Sequence, residues 1–189
     1  MRDDVDGRRL GMNAKMQTYT GKKFEFVNTD PESINILDIA MHLSKTCRFN
    51  GACTRFYSVG EHSILVSRVV PPELALQGLM HDAAEAYTPD VQADFKKLLF
   101  ETSHDVREIF VAIETAVAAA FNLPWPPDPR VKEVDQRMCA TEKQQLMAPA
   151  TFDWQPLPEP YSNVAVIGAD PPTIATDFLD RFNQLWEGE

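Results

Sequence analysis

The strongest constraint on the fold is the spacing of apolar residues after Asp30, because they recur three and four positions apart in one segment after another. This spacing places them on one face of a helix. Strands do not alternate with these segments, which disfavours a Rossmann or TIM-barrel architecture. We therefore predict an all-α helical bundle. Its predicted helices cover residues 33–45, 57–70, 72–87, 102–122, 129–147 and 172–187.

The segments outside the helices have different patterns. Residues 17–28 (QTYTGKKFEFVN) alternate polar and apolar side chains around Gly21-Lys22, which predicts a small β-hairpin. Residues 148–172 contain several prolines and little periodicity, so we expect an extended strap over the surface. The predicted organisation is a disordered tail (1–16), a helical domain (17–147), and the strap with a C-terminal helix packed on the same domain (148–189).

Length and charge limit the classes of function. The 189 residues fit one domain of ordinary size. Acidic side chains outnumber basic ones by 28 to 18, and the resulting net charge of -10 disfavours binding to nucleic acid. The net charge does not exclude a small anionic substrate that binds in a locally basic pocket.

Charged residues interrupt every apolar stretch well short of ~18 residues, so we expect no membrane association. Three cysteines are too few for a disulfide framework, which favours the cytoplasm.

Polar residues at positions where apolar ones are expected indicate a candidate site. The predicted helix 72–87 is largely apolar, yet His81, Asp82 and Glu85 interrupt it. Burying an imidazole and two carboxylates costs several kcal/mol unless each is paired or bound to a cation. A lone histidine would more often be a core residue with a satisfied hydrogen bond. The adjacent aspartate and the glutamate one turn later favour a functional site instead.

A second histidine is expected beside this group. His62 lies eight residues before Val70, and His81 lies nine after Pro72. Helices rise about 1.5 Å per residue, so a tight turn between two antiparallel helices would bring both histidines to one level. Two imidazoles and a carboxylate that converge in this way favour a metal site.

The helix predicted over residues 129–147 supplies a candidate for the fourth ligand. Asp135 shares a helical face with three apolar residues, Val131, Val134 and Met138. The alternative is a surface aspartate on a face that is turned outward. Glu142 lies seven residues later on the same face, where it could brace an arginine near the site or form a buried ion pair.

Another His-Asp pair is better explained without a metal. His104-Asp105 lies among charged neighbours near the start of a predicted helix, where an aspartate complements the helix dipole. His42, on the helix predicted over 33–45, is interpreted as a core or surface residue.

Three segments together resemble a known family: YSVGEHS (57–63), LMHDAAEAYTPD (79–90) and VDQRMCATE (134–142). They are similar to the H…HD…D pattern of the HD-domain metal-dependent phosphohydrolases. Within that superfamily, the chain most resembles the bacterial 5′-deoxynucleotidases and the phage-type deoxynucleoside triphosphohydrolases, including those that act on dATP. The likeness covers roughly residues 17–147.

The resemblance implies a role for individual residues. Glu85 falls on the carboxylate that works on the attacking water, and Asp90 on an acidic residue at the edge of the site. Arg48 matches the arginine that holds the substrate phosphate, and Phe49 stands where the deoxynucleotidases carry a tryptophan. Lys96 matches a basic residue of a D-L-P-x-P-x-K stretch, which reads P-D-V-Q-A-D-F-K here. The implied metal ligands are His62, His81, Asp82 and Asp135.

Together these features predict a metal-dependent phosphohydrolase that releases phosphate or triphosphate from a nucleotide, with a deoxynucleotide favoured. Two imidazole and two carboxylate ligands favour one divalent transition ion (Mn, Co, Fe, Ni or Zn) over Mg. The alternatives are a phosphodiesterase for cyclic nucleotides or guanosine polyphosphates, and a noncatalytic nucleotide sensor. Related enzymes assemble as homo-oligomers, so the resemblance implies a homo-oligomer here.

Overall fold

The computed structural model describes residues 14–186. These residues are mostly helical, with a small antiparallel sheet at the N-terminal end, in agreement with the predicted all-α class. The strands are β1 (Lys15–Gln17) and β2 (Lys23–Glu25). The helices are α1 (Ile36–Leu43), α2 (Val59–Val69), α3 (Ala75–Met80), α4 (Ala93–Thr102), α5 (His104–Ala120), α6 (Pro129–Leu146) and α7 (Pro171–Leu185).

The predicted hairpin is confirmed, but it begins earlier than expected. Met16 pairs with Phe24 in the antiparallel register, and both side chains contact the core. The tail prediction for residues 1–16 is therefore wrong for residues 14–16. The carbonyl of Ala14 accepts a hydrogen bond from the N–H of Phe26 at 3.1 Å, and the Met16 side chain packs against the core. Gly21 closes the turn with a φ of 81°, a left-handed conformation that favours glycine. The remainder of that prediction, residues 1–13, lies outside the described residues.

The single helix predicted over residues 72–87 is wrong, because this segment is divided into three shorter helical pieces. A 3-10 turn (Pro72–Leu74) precedes α3, and a second 3-10 turn (Ala83–Ala86) follows it. Between α3 and the second turn, the backbone of Asp82 has φ −103° and ψ 13°, outside the α-helical region. His81 and Asp82 therefore lie at a break in the helix.

One helix, α4, lies in a segment for which the sequence analysis predicts no helix. Its sequence (ADFKKLLFET) has apolar residues at helical spacing, Phe95, Leu98 and Leu99, and in the described structure none of its residues is buried. The next helix, α5, begins at His104 because the Ser103 hydroxyl accepts a hydrogen bond from the backbone N–H of Val106 at 3.4 Å.

The core lies where α7 packs against α1, α2 and α3. Several of its large side chains are fully buried, including Ile39, Leu43, Leu79 and Phe178. Gly60 permits the close approach of α2 and α7, since a Cβ atom at this position would lie 2.8 Å from the Ile174 side chain. Among the helices described, none combines the length and the apolar composition needed to cross a membrane.

The segment between α6 and α7, residues 148–170, is described throughout and contains no helix or strand, as predicted for the strap. Glu61 on α2 holds its C-terminal end. The buried carboxylate accepts hydrogen bonds from three consecutive backbone N–H groups, those of Ile167, Gly168 and Ala169, at 2.8–3.0 Å. Gln145 on α6 adds hydrogen bonds to the backbone of Val164 and Val166.

Candidate metal centre

The structure brings three of the four predicted ligands into one group: ligand atoms of His62, His81 and Asp135 lie within 4.8 Å of one another, and Asp82 lies beside both histidines. The two imidazole Nε2 atoms, of His62 and His81, lie 3.2 Å apart. Asp135 Oδ1 lies 3.2 Å and 3.9 Å from these nitrogens, and Asp82 Oδ2 lies 3.6 Å and 3.2 Å from them. Ligands about 2 Å from one tetrahedral ion lie roughly 3.4 Å from one another. The separations among His62, His81 and Asp135 therefore suit a single divalent ion, while Asp82 is outside that group and adjoins it through the two histidines.

Three elements supply these side chains. His62 lies on α2, Asp135 on α6, and His81 with Asp82 at the break after α3. Gly78 lets α3 approach α2 closely, because a Cβ atom there would lie 2.9 Å from the Val70 side chain and 3.2 Å from the Ser67 Cα atom. The small residue and the turn before α3 thus set the distance between the two histidines.

The hydrogen bonds of the histidines assign their tautomers. His81 Nδ1 lies 2.9 Å from the carbonyl oxygen of Gly78, which can only accept, so Nδ1 carries the hydrogen. His62 Nδ1 lies 2.5 Å from the Glu142 carboxylate and is assigned in the same way. In the neutral rings, both Nε2 lone pairs therefore face the centre. Ring nitrogens that bind metals are oriented by such contacts.

The charges show what the cluster requires. Burial opposes a charge on His81, but Asp82 and Asp135 outweigh it and raise the pKa of its imidazole well above the usual value. Burial alone would raise the pKa of each aspartate, yet the two histidines lower both values below the usual range. Positive charge among these acceptor atoms is therefore favourable, whether protonated imidazoles or a bound cation supply it. The donor set fits such an ion.

Glu142 joins several parts of the site. Its buried carboxylate accepts hydrogen bonds from Tyr57 Oη at 2.7 Å, from Arg48 Nε at 3.2 Å and from His62. The sequence offered two roles for Glu142, and the contact with Arg48 fits both. The contact of Glu142 with His62 and the hydrogen bond from Tyr57 to Glu142 are not predicted in the sequence analysis. Glu142 lies on the same face of α6 as Asp135, and this position was the signal that could have indicated the contact with His62.

Glu85 lies one 3-10 turn beyond Asp82, and its backbone N–H donates to the Asp82 carbonyl at 2.9 Å. Residues three apart lie on one side of such a turn, so Glu85 faces the same way as Asp82. Its Oε2 atom is buried and has no hydrogen-bond partner within residues 14–186. Burial raises the pKa of this carboxyl well above its usual value, and the charges of Asp82 and Asp90 add to the shift. A carboxylate whose pKa is raised binds a proton more readily, which suits Glu85 to accepting one.

Arg48 lies at the rim of the centre, with only 9% of its surface exposed. Besides its contact with Glu142, its Nη1 atom lies 3.5 Å from Asp82 Oδ2. The charges of Glu142 and Asp82 outweigh the effect of burial and raise the pKa of Arg48, so the guanidinium stays charged. A positive group is thus held beside two acidic residues.

The loop after Arg48 has an unusual backbone. Phe49 and Asn50 have φ values of 54° and 51°, and Gly51 follows with 76°. A bulky residue in this left-handed region costs about 1–3 kcal/mol and persists only where its surroundings hold it. Burial raises the pKa of Asp90, while the nearby charge of Arg48 and the backbone N–H of Phe49 lower it. The loop therefore places the predicted residues Arg48, Phe49 and Asp90 side by side.

Lys96 does not join this group. Its ammonium lies 3.1 Å from Glu114 and over the rings of Phe100 and Phe110. A different lysine contacts the centre: Lys132 Nζ lies 2.6 Å from Asp135 Oδ2. Its spacing of three residues before Asp135 on the same helix was the signal that could have identified it.

The remaining histidines lie outside the centre. His104, Asp105 and Glu108 also form a cluster that could hold a metal ion. They are exposed at the start of α5, where His104 Nδ1 lies 3.5 Å from Glu108, and this agrees with the interpretation as a surface pair. His42 joins the hairpin to the second 3-10 turn through hydrogen bonds with the backbones of Tyr19 and Ala86.

Comparison with known proteins gives relatives without an assigned activity. No family model matches the chain. It is 36% identical over 177 residues to the uncharacterized protein YfdR of Escherichia coli (strain K12), and the match covers 91% of this chain and 96% of YfdR. It is 25% identical over 187 residues to the uncharacterized protein RCAP_rcc00048 of Rhodobacter capsulatus, with coverage of 91% and 95%. The identity to YfdR over almost the whole length of both chains means that this protein belongs to the YfdR family.

Proposed function

We propose that this protein is an HD-domain metal-dependent phosphohydrolase that hydrolyses a nucleotide, with a deoxynucleotide as the favoured substrate. The proposal is carried by one observation, the convergence of two imidazole nitrogens and two carboxylate oxygens beside the orphaned carboxyl oxygen of Glu85. A structural ion pair network would satisfy that oxygen, because buried polar atoms in proteins are almost always hydrogen-bonded.

In this proposal one divalent transition ion is held by His62, His81, Asp82 and Asp135. When bound, such an ion lowers the pKa of a coordinated water and polarises a phosphoryl oxygen. The two imidazole ligands favour Mn, Co, Fe, Ni or Zn over Mg, which prefers oxygen ligands.

Glu85 takes the proton from the attacking water. A general base works best when its pKa lies near the operating pH, and burial moves the pKa of Glu85 upward in that direction. Asp90 supports this role, because its charge adds to the rise in the pKa of Glu85. No hydrogen bond within the described residues would have to break before Oε2 of Glu85 accepted the proton.

Arg48 neutralises the phosphate of the substrate. Its guanidinium remains charged, and the contact with Glu142 holds its plane at the rim of the centre. A planar fork of this kind binds phosphate oxygens in pairs. Lys132 contributes the second cation, in place of Lys96. Its side chain is 70% exposed while its ammonium contacts Asp135, so an incoming phosphate can reach it.

The experiment is a hydrolysis panel. The protein, loaded with Mn or Co, is given ribo- and deoxynucleoside mono- and triphosphates, cyclic nucleotides and guanosine polyphosphates, and the products are resolved as phosphate or triphosphate. We expect turnover of a deoxynucleotide, abolished by a chelator. Turnover of only the cyclic nucleotides or the guanosine polyphosphates would make the protein a phosphodiesterase. Binding of nucleotides without any turnover would make it a sensor.

The homo-oligomer implied by the family resemblance belongs to the same proposal. Light scattering on the purified protein measures it directly, and a monomer at all concentrations would contradict it.

A further inference from the structure

The strap carries an aromatic residue to the rim of the metal centre. The ring of Trp154 lies 6.2 Å from the ring of Phe49, and the two planes are inclined at 58°. Phe49 follows Arg48 in the chain, and the Arg48 guanidinium carbon lies 5.3 Å from the Phe49 ring centroid. Two contacts therefore connect the indole to the arginine that we assign to the substrate phosphate.

The position of Trp154 is held from several sides. Lys143, the residue after Glu142, places its ammonium 4.5 Å from the centroid of the indole. The next strap residue, Gln155, hydrogen-bonds through Nε2 to Asp94 Oδ1 on α4 at 3.1 Å. The strap thus spans from α6 to α4 past the Arg48 loop, and Trp154 is half-buried within this span.

A cation lies against each of the two aromatic rings. The Arg48 guanidinium lies beside the ring of Phe49, and the Lys143 ammonium lies over the ring of Trp154. Acidic residues adjoin the same corner, since Glu142 and Asp82 contact Arg48. Inclined rings with cations beside them are suited to a ligand that combines a planar apolar part with negative charge. A nucleotide has both parts, whereas a sugar phosphate lacks the planar one.

We propose that Trp154 and Phe49 form the subsite for the heteroaromatic base of the substrate, with Trp154 as the residue that selects base-bearing phosphoesters over simple sugar phosphates. Lys143 lies over one face of the indole, so the base stacks on the other face, and Phe49 contacts its edge. The inference rests on the proposed function for the phosphate end of the ligand. It adds a recognition residue from the strap, a segment outside the part of the chain that carries the family resemblance.

The subsite is tested by comparing the binding of two kinds of ligand that differ only in whether they carry a base. Calorimetry on the Mn-loaded Glu85→Gln protein, in which turnover is slowed, compares the four deoxynucleoside monophosphates with 2-deoxyribose 5-phosphate. Stacking of one base on an aromatic side chain corresponds to a roughly 5- to 150-fold change in affinity. We expect Trp154→Ala to weaken nucleotide binding within this range and to leave binding of the sugar phosphate unchanged. Trp154→Phe should retain part of the affinity. Phe152→Ala, on the same strap with 70% exposure, is the matched control and should change neither ligand.

A merely structural role for Trp154 predicts a different result, in which both ligands weaken together with the melting temperature. That result would overturn the subsite, as would equal affinity of the wild type for both ligands or no binding of any nucleotide. The proposed function fails separately. If nucleotides bind with the expected dependence on Trp154 but are never hydrolysed by the wild type, the subsite stands and the phosphohydrolase does not. If hydrolysis proceeds unaffected by Trp154→Ala, the subsite alone is wrong.

Discussion

His62 donates its Nδ1 hydrogen to Glu142 across 2.5 Å, and this contact determines which nitrogen of the ring faces the candidate metal centre. The same carboxylate accepts from Arg48. One buried acidic residue therefore orients a proposed metal ligand and the proposed phosphate-binding group together. Partners of this kind fix the ring and increase its basicity as a ligand.

Glu142→Gln should weaken metal binding. The amide cannot match the charge of the carboxylate beside His62, and loss of such a partner typically lowers metal affinity by about 10- to 100-fold. Competition with a chromogenic chelator measures the affinity. Tyr57→Phe is the control, because it removes one hydrogen bond to Glu142 and keeps the charge. An affinity unchanged in Glu142→Gln would show that this contact does not support the metal.

The stabilising effect of Glu142 should depend on pH. Burial raises its pKa, but Arg48 and His62 outweigh burial and lower the pKa below the usual value. A lowered pKa stabilises the fold above the unfolded value of about 4.3, and this contribution disappears as the pH falls through the folded value. In metal-stripped protein, the difference in unfolding free energy between wild type and Glu142→Gln should therefore shrink on acidification. Urea denaturation at neutral and acidic pH measures it, and a constant difference would contradict the assignment.

The two His-Asp clusters should respond differently to removal of a histidine. His81→Ala should lose the bound ion and should no longer be destabilised by a chelator, because an ion that binds only the folded state stabilises that state. His104→Ala removes an exposed histidine from the other cluster and should retain both properties. Elemental analysis and melting curves with and without chelator provide the readouts. Metal loss in His104→Ala would place the site on α5.

Glu61→Gln should release the strap. The carboxylate accepts from three consecutive backbone N–H groups, and hydrogen bonds to a charged group contribute about 1.5–3 kcal/mol each. We expect faster hydrogen exchange at Ile167–Ala169 and a lower melting temperature. Glu133→Gln, an exposed position on α6, is the control. Unchanged exchange at these three amides would mean that other contacts hold the strap.

The sequence predicted the convergence of His62 and His81 because that inference needs only helix rise and the position of a turn. It did not predict the break at Asp82. Alanines continue the helical pattern through residues 83–86, while distant contacts hold the actual conformation: Tyr87 stacks on Phe24 at 4.2 Å, and its hydroxyl accepts from the N–H of Asn35. Local periodicity contains no information about such partners.

The same limit explains the other residues that were missed. Tyr57 and Glu142 meet across 85 positions, and Phe49 meets Trp154 only because the strap turns back over α6 and α4. The family resemblance supplied Arg48 and Glu85 because they lie within matching motifs. It gave Lys96 on a stretch that departs from the motif, and this residue contacts Glu114 instead of the centre.

Glu85 is the residue on which the proposed chemistry depends most directly. It lies one 3-10 turn beyond Asp82, with a buried oxygen that has no hydrogen-bond partner among the described residues. Glu85→Gln keeps the size of the side chain and removes the base. We expect metal content and nucleotide affinity to persist while kcat falls by roughly 10²- to 10⁴-fold, the usual effect of losing a general acid–base group.

Three measurements on Glu85→Gln separate the possible roles: elemental analysis, calorimetry with a nucleotide, and single-turnover hydrolysis. Glu101→Gln, an exposed glutamate on α4, is the matched control and should behave as the wild type. Loss of the metal in Glu85→Gln would make Glu85 a ligand, since a base that acts only on water is not needed to hold the ion. Full activity would transfer the role of base to Asp90, whose pKa is also raised by burial, and Asp90→Asn would then show the loss of kcat instead.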